Sequence, residues 1–370
     1  MKRNVPRDSG ESPLGRVTIR EVAAAAGVSR STASRALTGQ GYTARTVRER
    51  VREAAYGLGY VPDATARHLR QQASQSVGVL VSDLSNPFYA GLASGISQQA
   101  RTRQYTMMLA DDAGSPELEA EAAEAFVAFR VAGVIVTPLS GEVTSYLTRQ
   151  RIPVVEVDRQ FSAGACDAVI VDNAKASQRV TAHLLELGHR RIALVIDEMH
   201  WTTGRDRLAG YESALAAARV PLDPSLVVTT GWDVGGAQKA AHTLLAGPEP
   251  PTAVFAANNV LAEGVWRAAA ESGLEIPRRL SLVSFDDVPW MSMVRPGVTA
   301  MAQDTVRLGE AAISQLFERI RLPLAPIRTI MLSPTFIMRE STAAPPTQNV
   351  TPLAVAFRPP LSAEVHLTSR

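Results

Sequence analysis

Between residues 29 and 35 the chain reads Ser-Arg-Ser-Thr-Ala-Ser-Arg, which places two guanidiniums and four short hydroxyl side chains within seven residues. A guanidinium is a planar fork of donors that fits the guanine edge or a phosphate, and short hydroxyls donate singly to phosphate oxygens. This is the chemistry of a reader of polyanions. The charge distribution agrees. Residues 1–70 hold 13 Lys and Arg against 6 Asp and Glu, whereas residues 71–370 hold 25 against 30, so balances of +7 and −5 combine into the net +2. A short basic module on a mildly acidic body suggests that the module meets a polyanion and the body does not. Chemistry of other kinds has little support. No Gly-x-Gly-x-x-Gly opens a helix, and there is no phosphate loop, His-Glu-x-x-His or Gly-x-Ser-x-Gly. The six histidines (His68, His183, His189, His200, His242, His366) are scattered, and His189 reads as a structural turn residue. No catalytic residue, cofactor or metal is expected.

The basic stretch needs a scaffold, and the sequence around it supplies helix signals. Thr18-Ile-Arg-Glu21 is a capping box, so a helix begins near Ile19 and ends at Gly27, the residue best suited to a left-handed cap. Only Val28 separates this from Ser29, which caps a second helix from Arg30 to Leu37, closed by Thr38-Gly39. Two short helices on so tight a turn make a helix-turn-helix. Thr43 is expected to cap a third helix, with Val47, Val51, Ala54 and Leu58 on its apolar face and Arg45, Arg48, Arg50 and Arg52 interleaved. At least one of those arginines reads as an ordinary solvated helix face.

Beyond Pro62 comes a short helix-capable stretch, then polar Ala73-Ser-Gln-Ser76, and from Val77 the pattern changes. Nine β-rich runs (77–81, 106–109, 133–137, 154–157, 168–171, 192–196, 226–229, 253–256 and 280–284) alternate with Ala-rich helical segments. Apolar strands alternating with helices indicate parallel sheets buried on both faces. Nine strands exceed one such sheet, so the reading is a small all-α helix-turn-helix domain followed by an α/β core of two doubly wound parallel-sheet subdomains with a cleft between them.

The run Val17-Thr-Ile-Arg-Glu-Val-Ala-Ala-Ala-Ala-Gly-Val-Ser-Arg-Ser-Thr-Ala-Ser-Arg-Ala-Leu-Thr-Gly39, with Gly57-Leu-Gly-Tyr-Val-Pro-Asp-Ala-Thr-Ala-Arg-His-Leu-Arg70, closely resembles the headpiece of the LacI/GalR family of bacterial repressors. The resemblance continues through Ser82-Asp-Leu-Ser-Asn-Pro-Phe-Tyr89, Val157-Asp-Arg159, Gly204-Arg-Asp-Arg-Leu-Ala-Gly-Tyr211 and Val283-Ser-Phe-Asp-Asp287 to Met338-Arg-Glu-Ser341. It spans roughly residues 17–345. The body pattern also suits periplasmic sugar-binding proteins, and the headpiece separates the two.

The resemblance implies a sequence-specific regulator, a repressor by expectation. Its partners would be a roughly palindromic double-stranded DNA operator, a carbohydrate effector and a second copy of itself. Arg30, Ser31 and Arg35 fall at the family's base-contact positions, and Thr18, Ser29, Thr32 and Ser34 suit phosphates. The family's hinge helix would place Ala66 against the dimer mate, Arg67 near the backbone and Leu69 as a minor-groove wedge. Around the effector it would gather Asn86, Phe88, Tyr89, Asp158, Arg159, Arg205, Arg207, Trp232, Asn258, Asn259, Asp286 and Gln303. Most of these follow apolar strands, where open α/β sheets bind ligands. Phe88 and Trp232 could instead be core residues, and Asp158-Arg159 a structural ion pair. The implied organisation is a flexible tail over 1–16, the headpiece over 17–62, hinge and linker over 63–76, the effector and dimerisation domain over 77–340 with crossings near 173, 302 and 333, and a disordered tail over 341–370.

Three departures from the family pattern stand out. Many relatives have Asn-Asp at Asn258-Asn259, so a ligand carboxylate is missing and a less hydroxyl-rich or more anionic effector is expected. Ser284 replaces a common glycine, and the spacing from Trp232 to Gly236 is one residue short. Two rivals share the architecture: a sugar-processing enzyme, which would show turnover, and a transport-linked binding protein, which would need an export segment and no basic headpiece. The polar first sixteen residues hold no export-type apolar run, no run of about 18 apolar residues spans a membrane, and Cys166 is the single cysteine. A cytoplasmic protein at the nucleoid is expected.

Overall fold

In a computed structural model of the 370-residue chain, residues 17–39, 41–61 and 74–346 are described. Backbone contacts divide the chain into two compact units that meet between Ser74 and Gln75.

The first unit holds α1 (Ile19–Ala25), α2 (Arg30–Thr38) and α3 (Arg45–Gly57). The Glu21 carboxylate reaches back to the Thr18 backbone N–H at 2.6 Å and its hydroxyl at 2.8 Å, which fixes the start of α1. Ser29 Oγ accepts from the Thr32 N–H at 3.1 Å to start α2, and Gly39, at φ +72°, stops it. A side chain at that φ would be strained, which is why glycine ends this helix. Val22, Ala23 and Ala26 of the first helix region meet Ala33, Ala36, Val51 and Ala55 in a small core. α3 departs from expectation at its start. Its N-cap is Ala44, which offers no side chain, while Thr43 is buried and its carbonyl accepts from Arg48 Nη2 at 3.3 Å. Arg48 is thus tied to its own helix start, and Arg45 to Glu49 at 2.9 Å.

In the second unit, the first sheet comprises β1 (Ser76–Val81), β2 (Thr106–Asp111), β3 (Val134–Val136), β4 (Val154–Val157), β5 (Asp167–Val171) and β11 (Thr329–Leu332), in the order β11-β5-β4-β3-β1-β2. All its pairings are parallel. The second comprises β6 (Ile192–Ile196), β7 (Val227–Thr229), β8 (Ala253–Ala256), β9 (Ser281–Phe285), β10 (Thr299–Ala302) and β12 (Thr335–Ile337), in the order β12-β10-β9-β8-β6-β7, where only β12 is antiparallel. The chain passes to the second sheet after β5, returns after β10, and passes over again after β11.

Both faces of each sheet are covered. Val77, Val79 and Val81 face α4 (Pro87–Thr102) and α11 (Thr305–Arg321), whereas Leu80 packs with residues of α5 (Pro116–Ala128) and α6 (Glu142–Arg149). This period-two division explains why the strands read as continuous apolar runs. In the second sheet, Leu194 and Phe255 face α7 (Asn173–Glu186) and α8 (Thr202–Ala217), and Val195 and Val254 face α9 (Val234–Leu245) and α10 (Asn259–Glu271). Gly210 lets α8 lie directly on α7, since a Cβ there would collide with the Ala174 carbonyl.

Two boundaries move. Gln75 and Ser76 already accept from Thr106 and Ala132, so the sheet begins within the expected linker. Ser341 is fully buried, donates to the Leu282 carbonyl at 2.6 Å and accepts from Thr299 N–H at 2.8 Å, so residues 341–346 belong to the second subdomain and not to the tail. The tails 1–16 and 347–370 and the hinge residues Ala66, Arg67 and Leu69 lie outside the described residues.

Candidate functional site

The carboxyl ends of the strands from both sheets converge on one cleft. Asn86 follows β1 and caps α4, whose first turn carries Phe88 and Tyr89. Asp158 and Arg159 follow β4, Trp232 follows β7, Asn258 and Asn259 open α10, Asp286 follows β9 and Gln303 follows β10. Asp158 and Asp286 hold φ of +67° and +65°, left-handed values that non-glycine residues avoid and that concentrate at functional sites. Together with Arg207 these side chains line one narrow cavity.

Eleven of the twelve expected cleft residues therefore meet. Arg205 does not. Its side chain is 66% exposed and pairs with Asp206, because it lies on the outer side of α8 from Arg207, which is buried. Four wall residues were not foreseen: Asp197, Trp201, Thr203 and Val260. Asp197 had a signal in the sequence. Val157, Ile196 and Phe285 each end an apolar strand and each is followed directly by Asp, so Asp197 repeats the placing of Asp158 and Asp286.

The amide side chains are oriented by their neighbours. Asn86 Oδ1 accepts from the Phe88 N–H at 3.0 Å, so it must be an acceptor, and Asn259 offers it Nδ2 at 3.1 Å. That leaves Asn259 Oδ1 free in the wall. Asp286 Oδ1 accepts from Gln303 Nε2 at 2.7 Å, which leaves Gln303 Oε1 free. Asn258 Oδ1 accepts from the Leu261 N–H at 2.9 Å, so its Nδ2 faces Asp197 Oδ2 at 2.9 Å, and Asp197 Oδ1 is unpartnered.

Two arginines set the electrostatics. Arg159 donates to Ser82 Oγ at 3.2 Å and Tyr89 Oη at 3.1 Å, and stacks 3.6 Å from the centre of the Trp201 ring. Arg207 donates to Asn173 Oδ1 at 2.9 Å and the Ala257 carbonyl at 2.6 Å, and stacks 3.7 Å from the centre of Phe285. Burial pushes the Asp158 carboxyl up to about 6, opposed by Arg159 and Arg207. Burial likewise raises Asp197 and Asp286, with Arg207 pulling both back. Trp201 meets Trp232 edge to face at 6.2 Å, and Trp232 packs so closely on Gly114 that a side chain there would collide with it. Trp232 is thus a wall residue, Phe88 belongs both to the core and to the wall, and the Asp158–Arg159 pair, at 4.0 Å, is loose.

In the first unit, α2 buries Ala33 and Ala36 and turns Arg30, Ser31 and Arg35 outward, with Thr32 and Ser34 half-buried beside them. Thr18 and Ser29 are exposed helix caps. Both guanidiniums thus stand on the exposed side of the helix that follows the turn.

Residues 18–63 match the pattern of bacterial regulatory proteins of the lacI family, and residues 181–342 that of a periplasmic binding protein-like domain. The chain is 28% identical over 328 residues to the ribose operon repressor of Haemophilus influenzae, covering 88% of this chain and 98% of that protein. It is 30% identical over 333 residues to the HTH-type transcriptional repressor PurR of the same species, covering 88% and 98%. The chain belongs to the LacI family. Its fold follows that of the Lac repressor dimer bound to operator and the anti-inducer ONPF, with a TM-score of 0.79, 25% identity, and coverage of 89% of this chain and 100% of that one. As a LacI-family protein it is a DNA-binding transcriptional regulator and not an enzyme. Among its described residues no helix is long and apolar enough to cross a membrane.

Proposed function

We propose that this LacI-family regulator acts in the cytoplasm as a homodimeric repressor of a roughly palindromic DNA operator, and that a sugar or sugar derivative held in the cleft controls its operator affinity. Arg30, Ser31 and Arg35 read base edges, while Thr18, Ser29, Thr32 and Ser34 hold phosphates. A two-fold operator is matched by a two-fold protein. Asn86, Phe88, Tyr89, Asp158, Arg159, Arg207, Trp232, Asn258, Asn259, Asp286 and Gln303 hold the effector, with Asp197 and Trp201 added to the set.

One observation carries the effector reading. Arg159 Nε, Asp197 Oδ1, Asn259 Oδ1 and Gln303 Oε1 are all buried without a hydrogen-bond partner, and all belong to residues of one cavity that aromatic rings also line. Buried polar atoms left unpaired are costly, so a ligand that pairs them gains affinity. Polar atoms beside ring faces suit a sugar, whose C–H face stacks while its hydroxyls hydrogen-bond.

The test is calorimetry of the purified protein against a panel of monosaccharides, paired with fluorescence anisotropy on DNA from its own promoter. A binding sugar should change operator affinity by about 5–150-fold. Binding without any change in operator affinity would refute the regulatory coupling.

A further inference from the structure

We infer that Asp197 is a specificity-determining residue that restricts the cleft to neutral, hydroxyl-rich monosaccharides and excludes sugar acids and sugar phosphates. The inference rests on the sugar reading above and narrows it.

Four polar atoms of the cavity-lining residues are left without a hydrogen-bond partner. Three of the four unpartnered atoms, Asp197 Oδ1, Asn259 Oδ1 and Gln303 Oε1, are acceptors, and Arg159 Nε alone is a donor. Backbone N–H groups fix Asn86 Oδ1 and Asn258 Oδ1 as acceptors, which sets the Asn259 and Asn258 amides, and the ionised Asp286 carboxylate sets that of Gln303. A sugar hydroxyl donates one proton and fits such a wall, whereas a carboxylate or phosphate brings only further acceptors.

The charges point the same way. Asp158, Asp197 and Asp286 are all buried and all lie within the electrostatic reach of Arg207, and Arg159 is the second cation. Ionised, three carboxylates outweigh two guanidiniums. The guanidiniums are also partly spent on the protein: Arg207 on Asn173 and the Ala257 carbonyl, Arg159 on Ser82 and Tyr89. Without Asp197 the balance would be even. Asn258 Nδ2 holds Asp197 Oδ2 at 2.9 Å, so this carboxylate lies at the start of α10. A neutral, hydroxyl-rich ligand departs from the less hydroxyl-rich or more anionic effector expected from Asn258-Asn259 alone.

The substitution Asp197→Asn tests the role with little change of shape. Its Oδ1 can still accept from Asn258, which turns the free position into a donor and removes the charge. Calorimetry on the full chain would use D-ribose and D-glucose as neutral probes, and D-ribose 5-phosphate and D-gluconate as anionic ones. The wild type should bind at least one neutral probe at least tenfold more tightly than either anion. Asp197→Asn should weaken the neutral probe by about tenfold or more and shrink that preference at least as much. An anion bound as tightly as the neutral probes by the wild type, or a preference unchanged in Asp197→Asn, overturns the inference while leaving a sugar effector standing. Binding of none of the four probes would overturn the sugar reading itself, and this inference with it. The wild-type comparison decides the matter even if the variant fails to fold.

Discussion

The guanidinium of Arg159 lies 3.6 Å from the centre of the Trp201 ring, joining a residue that follows a strand of the first sheet to one that precedes a helix of the second subdomain. The stack therefore crosses the cleft. It also holds Arg159 in place while Nε, 4.0 Å from Asp158, remains without a hydrogen-bond partner.

A cation over an indole face in a desolvated setting is worth up to about 2 kcal/mol, or roughly 30-fold in affinity. Trp201→Ala should accordingly weaken effector binding by about 5–30-fold in calorimetry, and Trp201→Phe by less. Undiminished affinity in Trp201→Ala would show that the stack has no part in closing the cleft on its ligand.

Effector affinity should fall in acid. Asp158, pushed up to about 6 by burial, is ionised near neutral pH and becomes protonated as the pH drops through that value. The ionised form is the better acceptor for ligand hydroxyls, so affinity measured by calorimetry should be several-fold lower at about pH 5 than at about pH 7.5. For folding the sign is opposite. A raised carboxyl pKa contributes stability below the unfolded value that is lost as pH rises through about 6, so the ligand-free protein gains nothing from ionising this group. A pH-independent affinity would mean that Asp158 does not face the ligand.

His189 anchors the end of the described chain through the Ser281 hydroxyl at 3.1 Å and the Ala343 carbonyl at 2.8 Å, with Thr252 on its other nitrogen at 2.8 Å. Burial lowers its pKa, so its contribution is present above the unfolded value and lost as the pH falls toward the folded one. His189→Ala should lower Tm by several degrees near neutral pH and flatten part of the acid-side decline, as followed by circular dichroism.

Legibility in the sequence tracked local patterning. The strands 77–81 and 192–196 are unbroken nonpolar runs buried on both faces, 154–157 is interrupted only by the buried Glu156, and each forms at or within one residue of where it was expected. β10, β11 and β12 were missed because Thr299–Ala302 is short and Ala-rich, while Thr329–Leu332 and Thr335–Ile337 are half-exposed strands at the ends of the sheets' strand order after a proline-rich turn. Thr43 looked like a cap because of its type, yet the α3 start places its side chain in the interior, a tertiary effect that no local signal reports. Arg205 and Arg207 are two residues apart on one helix and so point to different sides, which motif matching ignores. Asp197 was legible as a third strand-end aspartate. Trp201 was not, since nothing in Asp197-Glu-Met-His-Trp201 says that the ring meets Arg159 from the other subdomain.

The headpiece makes its own prediction. Arg30→Ala should weaken operator binding by roughly 10–100-fold and relax base preference at one position in each half-site, whereas removal of a phosphate contact such as Thr32 should weaken binding evenly across sequences. Selection of bound sequences from a random library distinguishes the two outcomes.

The central claim, that a sugar in this cleft governs DNA binding by this headpiece, is tested most directly by footprinting the chain's own promoter region with purified protein, with and without a saturating neutral monosaccharide. The account predicts protection of a two-fold symmetric site whose half-saturation concentration moves by about fivefold or more with sugar, and no such movement in Arg207→Ala, whose side chain lies among the three cleft carboxylates. An asymmetric or absent footprint, or a footprint that sugar shifts equally in wild type and Arg207→Ala, would contradict it.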